Sequence, residues 1–478
     1  MWQPVLMISG YILGILGLMM LIPAGMDFVA DSGLWSPFVS ASITTIFVGF
    51  SLFLADHQKI DHISYKQGYL ITITSWFLSI VFSGLPFILY NSVPSVTDAF
   101  FEATSGITGT GATIMTDVES LPPSVLLWRS MLNAVGGLGI VIFAVALLPF
   151  LGIGGMQMFQ RENSDSNDKF MPKFSYIAKR IIAVYLILIA LATGALFVCG
   201  MGWFDAVNHA MSAIGTGGFS TKNESVKFYD SALIDFVIML FMLAGSLPMT
   251  FYILLFRRGN PNKYNQVFVF LKFVLISGCM LSAYLYWQSE YSIADAFRYG
   301  FFSIIATITT TGLSVVDYTQ WGVWITAVIL LFSLCGGCTG STCGSIKIFR
   351  WQTVYAFLHR YLLSATEPHR VIPLKIGNIN ASEKITTSVF VYLFAFMLSL
   401  ISLSVLISLC GVDFATSISA VTACITNVGV GAINVIGPSG NYAFFSDNIK
   451  LILCFAMFLG RLEVITVFVV LSRSFWRN

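Results

Sequence analysis

Four short glycine-bearing segments recur along this 478-residue chain, each lying between two long apolar stretches. They read Thr108-Gly109-Thr110-Gly111, Gly215-Thr216-Gly217-Gly218, Thr309-Thr310-Thr311-Gly312 and Thr426-Asn427-Val428-Gly429. Their closing glycines are 107, 94 and 117 residues apart. About a dozen residues precede each turn, too few to cross a bilayer but enough to enter one and return. Glycine reaches φ values that other residues avoid, so such a turn can expose its carbonyls. Four turns around one axis would form a ring of carbonyl oxygens able to replace an ion's water shell. That arrangement is a cation pore.

The chain is 56% hydrophobic and 10% charged, with a mean hydropathy of +0.83. Soluble domains carry about 25% charged residues. The sequence therefore predicts an all-α integral membrane protein. Ten transmembrane helices are expected near 4–24, 38–55, 69–90, 125–150, 178–201, 231–256, 267–288, 322–349, 386–410 and 448–471.

With the amino terminus inside, the inner loops hold 19 Lys/Arg and the outer loops five: Arg129, Lys222, Lys227, Arg298 and Lys450. Positive loops favour the cytoplasm, which puts both termini there. Acidic residues number 15 outside and seven inside, giving an outer face near −10 that would draw cations to a pore mouth. The first apolar stretch lacks a basic lead and is followed by Asp27 and Asp31, so it reads as a retained span and not a cleaved signal. The eight cysteines lie in or near apolar segments and suggest no disulfide framework.

The repeating unit is a span, a short half-helix, a Gly/Thr turn and a second span. Asp98–Ala112 and Asp205–Phe219, aligned on their glycines, both open with Asp-Ala. Phe301–Leu313 and Ile418–Val430 are the third and fourth copies. Chance recurrence of Gly and Thr, common in membrane helices, is the alternative. It explains one match better than four in register. The plan divides the chain into two peripheral helices (1–66) and pore repeats over 67–160, 161–262, 263–350 and 351–478, the last opening with a cytoplasmic linker. A half-helix entering from outside would point its negative end at the membrane centre, where it favours a cation. Irregular backbone at that depth is tolerated where it lines water or is buried in protein.

Two further segments stand out. The eighth span contains Cys335-Gly336-Gly337-Cys338-Thr339-Gly340-Ser341-Thr342-Cys343-Gly344-Ser345-Ile346-Lys347. So dense a Gly/Ser/Thr run is a poor helix former, and the span is expected to break into a loop able to obstruct the path. Small-residue helix packing is the milder reading. The spacing of Cys335, Cys338 and Cys343 fits no ordinary zinc or iron–sulfur pattern, so no second metal is expected. The last span holds Gly460-Arg461-Leu462-Glu463. An ionisable residue inside a membrane is a functional candidate by default. Arg461 could grip carbonyls of the broken eighth span or form a positive barrier. The alternative is a local pair with Glu463, although residues two apart face different sides of a helix. Lys347 is expected to snorkel to the cytoplasm.

These segments resemble the membrane subunit of Trk-type potassium uptake systems, in the superfamily that includes the Ktr and HKT transporters. The resemblance rests on Thr104–Thr113, Gly215–Thr221, Gly336–Lys347 and Gly460–Glu463, and the two leading spans are similar to the TrkH branch. It implies a homodimer with one pore per subunit, and a gate formed by residues 336–345 with Lys347 and Arg461. It also implies a cytosolic, TrkA-like nucleotide-binding subunit docked on inner loops, for which the basic stretches at 161–180 and 347–384 are candidates. The transported ion would be potassium, with no nucleotide held by this chain and no nucleic-acid partner. Cys343 and Ser345 stand where small residues are usual in the family, and Gly109 where Thr is frequent. Glycine at all four closing positions favours potassium over sodium.

The reading is thus inward potassium permeation through carbonyls of Gly109-Thr110, Thr216-Gly217, Thr310-Thr311 and Asn427-Val428, driven by about 2.3 kcal/mol per charge per 100 mV. Proton- or sodium-coupled symport and a less selective potassium/sodium pathway are the alternatives. The spans offer only His209 for a proton relay, and it reads as a structural residue near the outer mouth. A membrane enzyme would need clustered ionisable groups at depth. A rocking-repeat transporter usually has two repeats, often inverted.

Overall fold

The computed structural model describes residues 2–31, 33–55, 64–146, 170–256, 264–288, 291–367, 369–370, 372–377, 379–380 and 382–477. The segments 56–63, 147–169 and 257–263 lie outside these. With them go Lys59, part of the 161–180 basic stretch, and the repeat boundaries at 160 and 262.

The chain is a succession of helices. The first unit follows two leading helices, α1 (Gln3–Val29) and α2 (Ser36–Leu54), and contains α3 (Tyr65–Ser83), α4 (Leu85–Leu89), α5 (Val96–Thr108) and α6 (Pro123–Ala146). The second contains α7 (Phe170–Val198), α8 (Trp203–Gly215), α9 (Ala232–Ser246) and α10 (Met249–Phe256). Helices α11 (Asn265–Gln288), α12 (Ile293–Ile308) and α13 (Val323–Ser333) make up the third. A loop then leads to α14 (Ile348–Thr366), followed by α15 (Glu383–Leu409), α16 (Phe414–Ile425), α17 (Asp447–Arg461), α18 (Val464–Leu471) and α19 (Arg473–Trp476).

Seven described helices are long and apolar enough to cross a membrane, or nine if two bent pairs are each one span. The pairs are α9 with α10, bent by 93°, and α17 with α18, bent by 108°. The spans expected at 231–256 and 448–471 are therefore bent, each with a break along its length. The first break falls at Leu247-Pro248, where proline cannot continue the helical hydrogen bonding. The second falls at Leu462-Glu463, with Glu463 at a left-handed φ of 61°. The 322–349 stretch is helical over Val323–Ser333 and resumes a helix only at Ile348.

Two apolar cores flank the centre. One joins α1 and α2 to the first and fourth units, around Phe38, Phe87, Trp128 and Met457. The other joins the second and third, around Ile214, Ile238, Phe302 and Ile325. Helices α1 and α2 cross closely because glycines meet there: a methyl group on Gly10 would sit 2.5 Å from Gly49 O. Large side chains such as Phe47, Leu191 and Phe394 face outward, as lipid-facing surface requires.

Candidate ion-conduction site

Four of the shorter helices lead into the Gly/Thr turns. α5 and α8 have 13 residues, α12 has 16 and α16 has 12. Three start on a side-chain cap: Ser95 accepts from Asp98 N, Ser292 from Asp295 N, and Asp413 from Thr416 N. All four run into the predicted Gly/Thr turns, which adopt one backbone pattern. Gly109 and Gly111, Thr216 and Gly218, Thr310 and Gly312, Asn427 and Gly429 have φ between 50° and 80°. One residue of ordinary handedness separates each pair.

The turns meet as a closed ring. A methyl group on Gly111 would lie 2.4 Å from Gly217 O, one on Gly218 2.1 Å from Thr311 O, and one on Gly312 2.1 Å from Val428 O. One on Gly429 would lie 2.1 Å from Thr110 O, completing the circuit. Each closing glycine thus faces the middle carbonyl of the next turn, in chain order. No side chain fits such a gap, so glycine is required twice, by dihedral and by space. Hydroxyls brace the ring: Thr108 Oγ1 is 2.7 Å from Thr110 Oγ1, and Thr309 Oγ1 is 2.8 Å from Thr311 Oγ1. Asn427 Nδ2 donates to Thr110 Oγ1 at 3.0 Å and to Met457 O at 3.0 Å.

The Cys335–Lys347 segment is not helical. A two-residue parallel bridge pairs Cys335 with Ile346 and Gly336 with Lys347, and the residues between loop out against the ring. Gly337, Cys338, Thr339, Gly340 and Ser341 pass beside the α9–α10 break, where Cys338 N donates to Ser246 O and Met249 N to Gly340 O. Thr342 Oγ1 lies 2.9 Å from Gly245 O and accepts from Thr216 Oγ1 at 3.1 Å. Gly344 N donates to Thr310 Oγ1 at 2.8 Å. A methyl group on Gly344 would sit 2.7 Å from Thr426 O. Ser345 Oγ donates to Ser333 O at 2.6 Å.

Arg461, 2% exposed, completes the contact with the ring. It donates from Nη1 to Thr342 O at 2.8 Å and from Nη2 to Gly136 O at 2.9 Å. Its Nη2 would be 3.4 Å from a methyl group on Gly109. Glu463 is instead paired with Arg350 at 2.6 Å, so the alternative of a local Arg461–Glu463 pair is corrected. Arg350 also lies over the Tyr392 ring, 3.6 Å from its centroid. The snorkelling expected of Lys347 is corrected too. Its ammonium turns back and donates to Cys343 O, because the bridge to Gly336 directs it toward the loop.

Three of the acidic residues counted among the outer charges are paired with cations counted there too, so the net count is unchanged. Glu102–Arg129, Asp98–Lys450 and Asp235–Arg298 are ion pairs at 2.8, 2.6 and 2.6 Å, and Glu102, Asp98 and Asp235 are buried. These carboxylates are not free charges at a mouth. His209 is fully buried. Its Nδ1–H donates to Asp205 O at 2.8 Å, leaving Nε2 to accept from Ser220 Oγ at 3.0 Å.

Some supports escaped the sequence reading. A methyl group on Gly136 would lie 1.9 Å from Ile107 O, on Gly245 2.5 Å from Ile214 O, and on Gly460 1.9 Å from Ile425 O. Each glycine lets the returning span touch the end of a short helix. The signal was present: an isoleucine stands four residues before every closing glycine, at Ile107, Ile214, Ile308 and Ile425. Asn133 was also missed. Its side chain packs against Gly217, where a methyl group would be only 2.2 Å from Cγ.

Residues 36–477 match the family model described as TrkH: Cation transport protein. The chain belongs to the TrkH family. It is 34% identical to the Trk system potassium uptake protein TrkI of Halomonas elongata, over all of this chain and 97% of that one. It is 31% identical to the Trk system potassium uptake protein TrkH of Vibrio parahaemolyticus over the full length of both. The crystal structure of the potassium transporter TrkH from Vibrio parahaemolyticus superposes with a TM-score of 0.92 at 29% identity, covering 100% of each chain. TrkH-family proteins are membrane transport proteins and not enzymes, and this chain is a multi-pass membrane protein of that kind.

Proposed function

We propose that this chain is the potassium-conducting membrane subunit of a Trk-type uptake system. The observation that carries the reading is the closed ring in which Gly111, Gly218, Gly312 and Gly429 each face the next turn's carbonyl. Potassium sheds its water there and is held by the carbonyls of Gly109-Thr110, Thr216-Gly217, Thr310-Thr311 and Asn427-Val428. The four short helices end at the ring with their negative poles toward it. Eight spans in four span–pore-helix–span repeats surround one pore, and the two leading spans pack at the periphery. The names of the relatives support potassium as the cargo.

Residues 336–345 are the gate. Thr342 and Gly344 hydrogen-bond to the second and third turns, and Arg461 secures Thr342 through its carbonyl while presenting a positive charge on the path. Opening requires those bonds to yield. The protein works in the cytoplasmic membrane as a homodimer with both termini inside, and a TrkA-like nucleotide-binding subunit acts on its inner loops. Channel-like permeation is favoured over proton coupling because His209, the candidate relay group, has both ring nitrogens engaged by Asp205 O and Ser220 Oγ.

The test is cation flux in liposomes holding purified protein under an imposed voltage. Potassium and rubidium flux with little sodium flux is the expected result. Flux that appears only with a proton or sodium gradient would replace permeation with coupled transport.

A further inference from the structure

The seams between turns are closed in different ways. At the second–third seam, Val226 N and Lys227 N both donate to Ser314 O at 3.1 Å. At the third–fourth seam, Tyr318 donates its hydroxyl to Gly431 O at 3.0 Å. At the fourth–first seam, Tyr442 N donates to Thr113 O at 2.8 Å and its hydroxyl to Gly429 O at 3.0 Å.

The first–second seam is built on charge. Glu102 on α5, with no exposed surface, accepts from Ile114 N at 3.2 Å, from Thr113 Oγ1 at 3.1 Å and from Arg129 Nε at 2.8 Å. Arg129 on α6, 2% exposed, reaches both turns. It donates from Nη2 to Thr113 Oγ1 at 3.2 Å and from Nη1 to Ser220 O at 3.2 Å. Its guanidinium also covers the Phe219 ring at 4.1 Å. Thr113 and Ser220 each lie two residues past a closing glycine, so the fork spans equivalent points of adjacent turns.

We propose that Glu102 and Arg129 are a positioning pair that sets the spacing of the first two turns and thereby the discrimination between cations. The inference rests on the filter reading above. Discrimination depends on how many carbonyls meet the ion and how firmly they are held apart. A planar guanidinium held by Glu102 fixes two acceptor directions at once, which a lysine ammonium does not. A buried ion pair is seldom retained for stability alone, since well-packed apolar residues often do as well. Here the pair is directed at the segments that follow the first and second turns.

Arg129→Gln, Arg129→Lys and Glu102→Gln are to be compared with wild type for potassium and sodium flux in liposomes. Thermal unfolding in potassium and in sodium is read on the same samples. Wild-type flux tests the filter reading by itself, so its failure is recognised separately. The expected result is a potassium/sodium flux ratio reduced about tenfold or more in Arg129→Gln, with Arg129→Lys intermediate, while total cation flux persists. In a variant without flux, loss of the extra stabilisation by potassium over sodium supports the proposal. An unchanged ratio, or an unchanged potassium stabilisation in a silent variant, overturns it and leaves the pair a structural role. If Arg129→Gln does not fold, Glu102→Gln decides by the same criteria.

Discussion

Gly429 of the fourth turn lies directly against Thr110 of the first: a methyl group on the glycine would be 2.1 Å from the threonine carbonyl oxygen. Residues more than 300 positions apart in sequence thus close a ring that the other three glycines build in order.

Gly429→Ala is therefore expected to abolish selective potassium flux. The left-handed φ of 77° costs a non-glycine residue roughly 1–2 kcal/mol, and overpacking against Thr110 adds about 1–3 kcal/mol. Gly194→Ala is the control, because it has open space on an exposed face of α7. It should leave flux intact and raise stability by up to about 1 kcal/mol. Equal loss of flux in both variants would count against the ring.

Arg461→Ala removes the hydrogen bonds to Thr342 O and Gly136 O together with the charge beside the path. Basal potassium flux through the purified protein should rise several-fold. Arg461→Lys should fall between, as one ammonium cannot serve both carbonyls in the guanidinium's geometry. A variant as quiet as wild type would remove Arg461 from the gate.

Gly344→Ala tests the loop from the other side. Its methyl group would press on Thr426 O at 2.7 Å, so the loop should no longer seat beneath the ring. A raised basal flux with the potassium/sodium ratio preserved is expected. A lowered ratio instead would mean that the strain is absorbed by the filter and not by the loop.

Breaking the Arg350–Glu463 pair at the bend of the last span should destabilise the protein without touching the ring. Arg350 is 3% exposed, and losing one partner of such a pair costs about 3–5 kcal/mol. Glu463→Gln should lower the thermal unfolding temperature, and Arg350→Met with Glu463→Gln should recover part of the loss. No recovery in the double variant would show that the two side chains act separately.

Much of this was legible in the chain. The apolar stretches gave a helical membrane protein because every backbone polar group in lipid must be satisfied within its own segment. Glycine at four equivalent positions marked left-handed turns because other residues meet a steric penalty there. The Gly/Ser/Thr run from Gly336 to Ser345 marked a break because it is poor in helix-forming side chains. Those features are local, and a sequence records local constraints directly.

Which distant groups meet was decided only by tertiary packing. Glu463 bonds Arg350, and Arg461 is thereby left for Thr342, because the span bends at Leu462 and turns the two side chains apart. Lys347 folds inward because the Cys335–Ile346 bridge fixes its direction. Asp98, Glu102 and Asp235 are paired and buried, although their positions in the chain place them among outer charges. Pairings of this kind depend on helix rotation and bend angle, which hydropathy does not encode. The sequence determined the four turns and their backbone chemistry. The packing of the spans, through close approaches at Gly136, Gly245 and Gly460, decided that they form one ring.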